Sequence, residues 1–297
     1  MVPNAFVSLG IANCLKVGID VMGETASSMF SEEESGIKSN RYNSKMKIIC
    51  HGGAGHTPKV QDGVDKAAEK GWKVLTETNN ALEAAIASVI VMEDDFRFNA
   101  GTGSCLRSDG SVQNDAAVAI SSGEMGAITN LQDFKNPVLV AKELLNEFVV
   151  MLAGEGAIDF ALTKGFTRSK VIGSEKGWTG DTVGAVAQSS SGDIAVASST
   201  GGVSGRPVGR VGDTPLWGSG FYCDKNIGIL ATGVGEAITE QLMCYRVYQY
   251  SQNIEEAMNW GVKLLPKDVG VGIIGIHSNG QIYGTSNTTM PFAIIQD

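Results

Sequence analysis

Histidine and cysteine are scarce in this chain of 297 residues, and their scarcity removes whole classes of function. Three histidines, His51, His56 and His277, are too few and too scattered for a histidine-based metal centre. The five cysteines, Cys14, Cys50, Cys105, Cys223 and Cys244, form no Cys-x-x-Cys pair, which gives no zinc site and fits a reduced, cytoplasmic setting better than a disulfide framework. No apolar run is long enough to cross a bilayer. The stretch from Ala5 to Met22 carries Lys16 and Asp20 and has no basic residues ahead of it, so it does not read as a signal peptide. Positive charge is also in deficit: the formal net charge of -9 argues against a polyanion-binding surface and hence against nucleic acid as a partner. Proline, at 7 residues, is far outnumbered by glycine, at 38, a balance that points to tight turns and close backbone approaches in an ordered protein. A chain of this length buries a sizeable core as one large domain or two smaller ones. A small-molecule or dipeptide substrate is left as the expected partner, with neither nucleic acid nor membrane.

What is present centres on Gly180-Asp181-Thr182-Val183-Gly184-Ala185-Val186-Ala187, where a polar, reactive dipeptide opens onto a short apolar strand. A threonine hydroxyl is a poor nucleophile at neutral pH without a base beside it, and one solution makes the threonine N-terminal so that its own α-amine is that base. Gly180-Asp181 offers a strainable peptide at which the chain is cut to expose it. The bland alternative is a turn or cap before a strand. Val183, Ala185 and Ala187 alternate with Gly184 and Val186, and Ile194 to Ala197 repeats the pattern after Ser189-Ser190-Ser191-Gly192-Asp193, which predicts a hairpin. Its second strand delivers Ser198-Ser199-Thr200-Gly201-Gly202, bringing Thr200 toward Thr182. Further on, Gly209-Arg210-Val211-Gly212-Asp213 sets a guanidinium and a carboxylate three residues apart, and Thr232-Gly233-Val234-Gly235-Glu236 follows a third apolar strand from Ile227 to Ala231.

These four pieces, in this order and spacing, resemble the N-terminal-threonine hydrolases of the plant-type asparaginase, isoaspartyl aminopeptidase, glycosylasparaginase and taspase group. The likeness runs from about Met46 to the C-terminus. It includes His51-Gly52-Gly53-Ala54-Gly55 after the Ile48-Ile49-Cys50 strand, and Phe98-Asn99-Ala100-Gly101-Thr102-Gly103-Ser104 before an expected hairpin around Asp109-Gly110. HGGAG is neither the dinucleotide fingerprint nor a P-loop, because no Lys-Ser/Thr follows it; a tight turn is its default reading, with His51 structural. Asp115 matches the family, whereas Gln113, Asn114 and Ala116 to Ala119 around it depart from the usual pattern, which touches substrate preference and not the fold.

Helical spacing runs from Val64 to Glu93 and predicts two helices separated near Thr78-Asn79-Asn80, the second capped by Asn79 or Asn80 with Glu83 in its first turn. Asn136-Pro137 opens another helix. The segment from about Lys164 to Gly180 reads as a mobile linker before the cut. Ala237 to Tyr250 and Ile254 to Leu264 read as helices, and Val271 to Ile276 with Gln281 to Gly284 as a hairpin around Asn279-Gly280. Strands and helices in mixed order predict an α/β protein, and the resemblance implies the family's four-layer αββα sandwich of the N-terminal nucleophile hydrolase type. Residues 1–45, with a Ser-Glu-Glu-Glu-Ser run and a polar stretch after it, read as an extension joined by a linker. Residues 46–297 form the expected hydrolase domain, divided by autocleavage into 46–181 and 182–297.

The resemblance further implies an amidohydrolase acting on the side-chain amide of L-asparagine, on β-aspartyl peptides, or on both. Thr182 is the expected nucleophile, Thr200 and Thr232 its hydroxyl partners, and Asn99 with Thr232 the oxyanion donors. Arg210 suits the substrate α-carboxylate and Asp213 the α-ammonium, with Gly233 and Gly235 alongside. No cofactor is expected beyond a structural sodium ion on backbone carbonyls, and the implied assembly is a homodimer of processed αβ units. Three alternatives stay open: a glycosylasparaginase, which HGGAG disfavours; a taspase-like endopeptidase, which Asp213 disfavours; and a glycine-rich ligand-binding homologue without turnover, which the presence of Thr182, Arg210 and Asp213 disfavours.

Overall fold

The strands of the centre are buried on both faces, and the layering explains why. The computed structural model describes residues 44–55, 60–177 and 181–297; most of the N-terminal extension, His56 and Gly180 lie outside them. Strand β1 (Lys47–His51) leads into helices α1 (Gln61–Thr78) and α2 (Ala81–Glu93). Asn80 is the cap, its side chain accepting the Glu83 N–H at 3.1 Å. Asn79 instead ends α1 in the left-handed region with φ 52°, its own N–H donating to the Leu75 carbonyl at 2.8 Å.

The Asp109-Gly110 turn forms, with the Arg107 N–H on the Ser111 carbonyl at 2.8 Å, but no strands flank it. The hairpin comes one step later, as β2 (Asn114–Ile120) and β3 (Met125–Leu131). Residues ahead of it pair instead with the segment that precedes Thr182: the Gly103 N–H meets the Ile172 carbonyl at 2.9 Å and the Ser174 N–H meets the Ser104 carbonyl at 2.8 Å. The stretch expected to be a mobile linker is therefore docked through Ser174, with Val171 and Ser174 buried, because each segment satisfies backbone groups that the other would leave unpaired.

Helix α3 (Pro137–Glu143), strand β4 (Met151–Ala153) and helix α4 (Gly154–Thr163) complete the first half. The predicted hairpin then appears as β5 (Val183–Gln188) and β6 (Ile194–Thr200), antiparallel with Val183 opposite Ser199. After β7 (Phe221–Cys223) and β8 (Ile227–Gly233) come α5 (Gly235–Gln241), α6 (Met243–Tyr250) and α7 (Ile254–Gly261), then β9 (Val271–His277), β10 (Ile282–Ser286) and β11 (Phe292–Gln296). The single helix expected over Ala237 to Tyr250 is broken at Leu242, which has φ 48°. The break releases the first N–H groups of α6 to other acceptors: Cys244 N–H reaches the Ser219 carbonyl at 3.3 Å and Tyr245 N–H the Gly218 carbonyl at 2.8 Å.

The strands form two sheets, one of seven in the order β11-β1-β5-β6-β2-β3-β4 and one of four in the order β10-β9-β8-β7. Side chains alternate between two buried clusters along each central strand, as a period of two requires. In β5, Val183, Ala185 and Ala187 face α1 to α4, whereas Val186 faces the other sheet; in β8, Ile227, Ile229 and Ala231 face α5 to α7, whereas Leu230 faces back. The three clusters thus lie between helices and sheet, between sheet and sheet, and between sheet and helices, an α/β architecture with helices outside both sheets. Among the described residues, no helix is long and apolar enough to cross a membrane.

Candidate active site

The ends of four strands from both sheets converge on Thr182. It stands immediately before β5, and the β5–β6 register puts it beside Thr200. Thr232 arrives from β8 in the other sheet. The Thr182 N–H donates to Thr232 Oγ1 at 3.3 Å, and that hydroxyl leans toward the Thr182 carbonyl at 3.5 Å while also accepting the Ala54 N–H at 3.3 Å. The hydroxyl of Thr182 has a different partner from those expected: Thr214 Oγ1, at 3.1 Å. Thr200 Oγ1 accepts the Gly202 N–H at 3.0 Å. Thr232 therefore acts on the backbone of Thr182 and Thr200 on the turn after β6, because the sheet geometry points both hydroxyls toward backbone donors. Thr214 was missed in the sequence, although Gly212-Asp213-Thr214 repeats the Gly180-Asp181-Thr182 tripeptide.

Gly53 and Gly55 of HGGAG pack on the residue ahead of Thr182. A methyl group built on Gly53, whose φ is 104°, would lie 2.8 Å from Asp181 Cβ, and one on Gly55 would lie 2.8 Å from Asp181 Oδ1. The turn thus exists as glycine because Asp181 occupies the space of its side chains. His51 Nδ1 accepts the Gly53 N–H at 3.2 Å. Burial pushes the His51 imidazole down to about 3, against an opposing contribution from the Thr182 backbone, so the ring is neutral and braces the turn.

Asn99 is buried, and both ends of its amide are engaged in structure. Nδ2 donates to the Gly202 carbonyl at 2.7 Å and Oδ1 accepts the Cys105 N–H at 2.9 Å. These bonds make it a bracket behind the Gly201-Gly202 turn, and it is not among the residues that line the small cleft at Thr182.

Arg210 and Asp213 do reach the cleft, along with Thr182, Thr200, Gly202, Val203, Gly212, Thr214, Gly233 and Gly235. The Arg210 fork is held by Glu236, Nε to Oε1 at 3.1 Å and Nη2 to Oε2 at 2.8 Å, a pairing that the sequence reading did not anticipate. Methyl groups on Gly235 would lie 2.8 Å from both Arg210 Nη2 and Asp213 Oδ1, so glycine there lets the two charged groups share one wall. Gly233, with φ 139°, would collide with the Gly270 carbonyl at 2.2 Å if it carried a side chain. The cleft has only about 10 Å³ of room for water-sized guests, whereas depressions of about 480 Å³ and 410 Å³ lie beside Gly110 and Lys170 and beside Asn80 and Asp193. Neither of the roomier ones brings an arginine to a buried carboxylate; the chemistry marks the smaller.

Among the described residues four carboxyl groups are buried, Asp181 beside Thr182 and, further out, Asp213, Asp115 and Glu93. Asp213 is 4% exposed with Oδ2 unpartnered; burial raises it to about 7, with the nearby Arg210 charge pulling the other way. Asp115, opposite Thr200 across β2 and β6, is raised by burial to about 6 despite accepting the Asn130 N–H at 2.8 Å. Glu93, at the end of α2, caps α3: Oε1 accepts the Val138 N–H at 3.1 Å and Oε2 accepts from Asn136 Nδ2 at 3.2 Å. Burial raises Glu93 to about 8. A carboxyl whose folded value lies above its ordinary 4.5 holds its proton longer in the folded than in the unfolded chain, so its stabilisation is complete at low pH and is lost as pH rises through about 8. Glu93→Gln is expected to flatten the fall in melting temperature between pH 6 and pH 9 and to melt higher than wild type at pH 9, by about 3 °C or more. Parallel thermal scans at both values check this. Among the described residues, no group of three or more His, Cys, Asp or Glu side chains is placed to hold a metal ion.

The whole described chain takes part in a known likeness. It matches the family described as Asparaginase over residues 44–174 and 168–297. It is 34% identical over 295 residues to a plant-type L-asparaginase of Pyrococcus horikoshii, covering 84% of this chain and 96% of the relative. It is 33% identical over 287 residues to the isoaspartyl peptidase/L-asparaginase of Xenopus laevis, covering 85% and 93%, and 32% identical over 288 residues to that of Homo sapiens, covering 84% and 93%. With matches that reach almost from end to end of the described residues, and with Thr182, Arg210 and Asp213 gathered in one cleft, this chain belongs to the asparaginase family.

Proposed function

We propose that this protein is an amidohydrolase that cleaves the side-chain amide of L-asparagine and the β-aspartyl bond of isoaspartyl peptides, with Thr182 as nucleophile after a cut between Asp181 and Thr182. The observation that carries the reading is the arrangement at Thr182: its hydroxyl on Thr214, its backbone nitrogen on Thr232, and Arg210 with a buried Asp213 in the same cleft. The relatives named for both activities support it.

In the uncut chain the nitrogen of Thr182 is an amide whose lone pair is delocalised into the Asp181 carbonyl, so it does not serve as a base. Attack of Thr182 Oγ1 on the Asp181 carbonyl carbon breaks the Asp181–Thr182 C–N bond and forms an ester, the hydroxyl proton passing to the departing nitrogen. Water then opens the ester and leaves a carboxylate on Asp181 and a free α-amine on Thr182. That amine, beside Thr232 Oγ1, takes the hydroxyl proton during attack on the substrate amide carbon and returns it to the leaving nitrogen. Thr214 orients the nucleophile and Thr232 holds the amine. Arg210 takes the α-carboxylate on the guanidinium edge not engaged by Glu236, and Asp213 takes the α-ammonium on its unpartnered oxygen. The assembly is a homodimer of processed αβ units, and the compartment is the cytoplasm.

The test is to incubate the purified protein with L-asparagine and with a β-aspartyl dipeptide and to run it on a denaturing gel. The expected outcome is aspartate release from both and two bands, the smaller beginning at Thr182. Turnover by an intact chain, or two bands with no hydrolysis of either compound, overturns the reading.

A further inference from the structure

Arg107 is 2% exposed, yet two of its three guanidinium nitrogens have no hydrogen-bond partner. Only Nη2 is engaged, donating to the Gln113 carbonyl at 3.2 Å. A buried guanidinium left this way is costly, since each unpaired charged donor forfeits its hydration without return. Asp115, a buried carboxyl that feels its charge, forms no ion pair with it and leaves its own Oδ2 unpartnered. The guanidinium lies directly behind Gly202: a methyl group built there would be 2.8 Å from Nη1 and 3.2 Å from Nη2. Gly202, with φ 85°, is itself part of the cleft wall. The positive charge therefore reaches the cleft across a residue with no side chain to screen it.

Position in the cleft gives this charge a role. Arg210, Asp213, Gly233 and Gly235 stand on the side that holds the α-groups of an aspartyl moiety, and Thr182 faces the scissile amide. Gly202 and Val203 line the cleft too, and they are taken here as the wall on the leaving-group side. When asparagine is cleaved the leaving group is ammonia, and nothing on that wall is needed. When a β-aspartyl dipeptide is cleaved the leaving group is an amino acid with its own carboxylate, a second negative charge. We propose that Arg107 is a specificity residue that attracts the leaving-group carboxylate of β-aspartyl dipeptides across Gly202, so that the cleft favours isoaspartyl dipeptides with a free C-terminus. This rests on the amidohydrolase reading above and extends it from reaction to substrate class.

The experiment compares three substrates, L-asparagine, a β-aspartyl dipeptide and the same dipeptide with its C-terminal carboxylate amidated, on wild type, Arg107→Gln and Arg107→Lys. In wild type, kcat/KM for the free dipeptide is expected to exceed that for the amidated one by about tenfold, the size of one partly screened charge interaction. Arg107→Gln removes that ratio and leaves asparagine turnover within about threefold, whereas Arg107→Lys, which keeps the charge, keeps most of the ratio. A structural role alone would lower all three substrates together, with lysine no better than glutamine. Equal rates for free and amidated dipeptides in wild type overturn the inference even if neither variant folds. So does cleavage of asparagine alone, which leaves the amidohydrolase reading standing; failure on all three substrates overturns both.

Discussion

Thr182→Ala is expected to yield one band at the full 31.1 kDa and no detectable release of aspartate, however long the incubation. The variant removes the hydroxyl that attacks Asp181 and, with the chain uncut, the α-amine that would serve as base, so both reactions fail from one substitution. Loss of a nucleophile costs about a millionfold in kcat in enzymes where the measurement is clean. Thr182→Ser keeps the oxygen but loses the methyl group that fixes its rotamer, and it is expected to process and turn over slowly. Thr214→Ala removes the hydroxyl 3.1 Å from the nucleophile and is expected to slow both steps without abolishing either. Time courses on a denaturing gel, with aspartate assayed in the same samples, check all three; complete processing of Thr182→Ala would overturn the assignment.

The second large effect concerns Arg210 and Asp213. Arg210→Lys retains the charge but loses the planar fork that Glu236 holds on one edge and that a carboxylate would take on the other. A charge-assisted hydrogen bond left unpaired in a buried site costs roughly 2–3 kcal/mol, so kcat/KM is expected to fall by about two decades. Asp213→Asn is expected to fall comparably on free-amine substrates while leaving the Asp181–Thr182 cut largely intact, because the cut has no α-ammonium to recognise. pH separates the two. Only the ionised form of Asp213 holds an ammonium, and burial sets its transition at about 7, so wild-type kcat/KM rises as pH passes 7 and Asp213→Asn loses that limb. The stability linkage runs oppositely: with its folded value above the ordinary 3.8, Asp213 stabilises the fold at low pH and ceases to do so as pH rises through about 7. Activity is thus gained over the range in which stability is given up. Equal rates on substrates with free and acetylated α-amines would remove Asp213 from substrate recognition.

Both predictions depend on features of unequal legibility. Asp181-Thr182 before an alternating strand, the β5–β6 hairpin and the β9–β10 hairpin around Asn279-Gly280 are patterns of neighbouring residues, and each is found where the chain shows it. The same holds for the Asn80 cap, since a cap involves residues three apart. The break at Leu242 is not legible in the sequence because the periodicity on either side is unbroken; what decides it is the set of carbonyls at Gly218 and Ser219, far away in sequence. Strand β11 was missed for a related reason: it is half-exposed and gains its place only by pairing with β1, Lys47 opposite Gln296.

Sequence alone determined the kinds of element, the reactive dipeptide and the set of charged and hydroxyl side chains from which a cleft is made, because these are set by local backbone preference and side-chain chemistry. The tertiary structure decided their partners: Thr214 and not Thr200 on the nucleophile, Glu236 on Arg210, Asn99 behind the turn, and the segment before Thr182 docked on Ser104. It also decided which charges are felt. Burial raises Glu93, Asp115 and Asp213 and leaves two of Arg107's three guanidinium nitrogens unpaired, and burial is a property of the layers packed around a residue, which no stretch of neighbours contains.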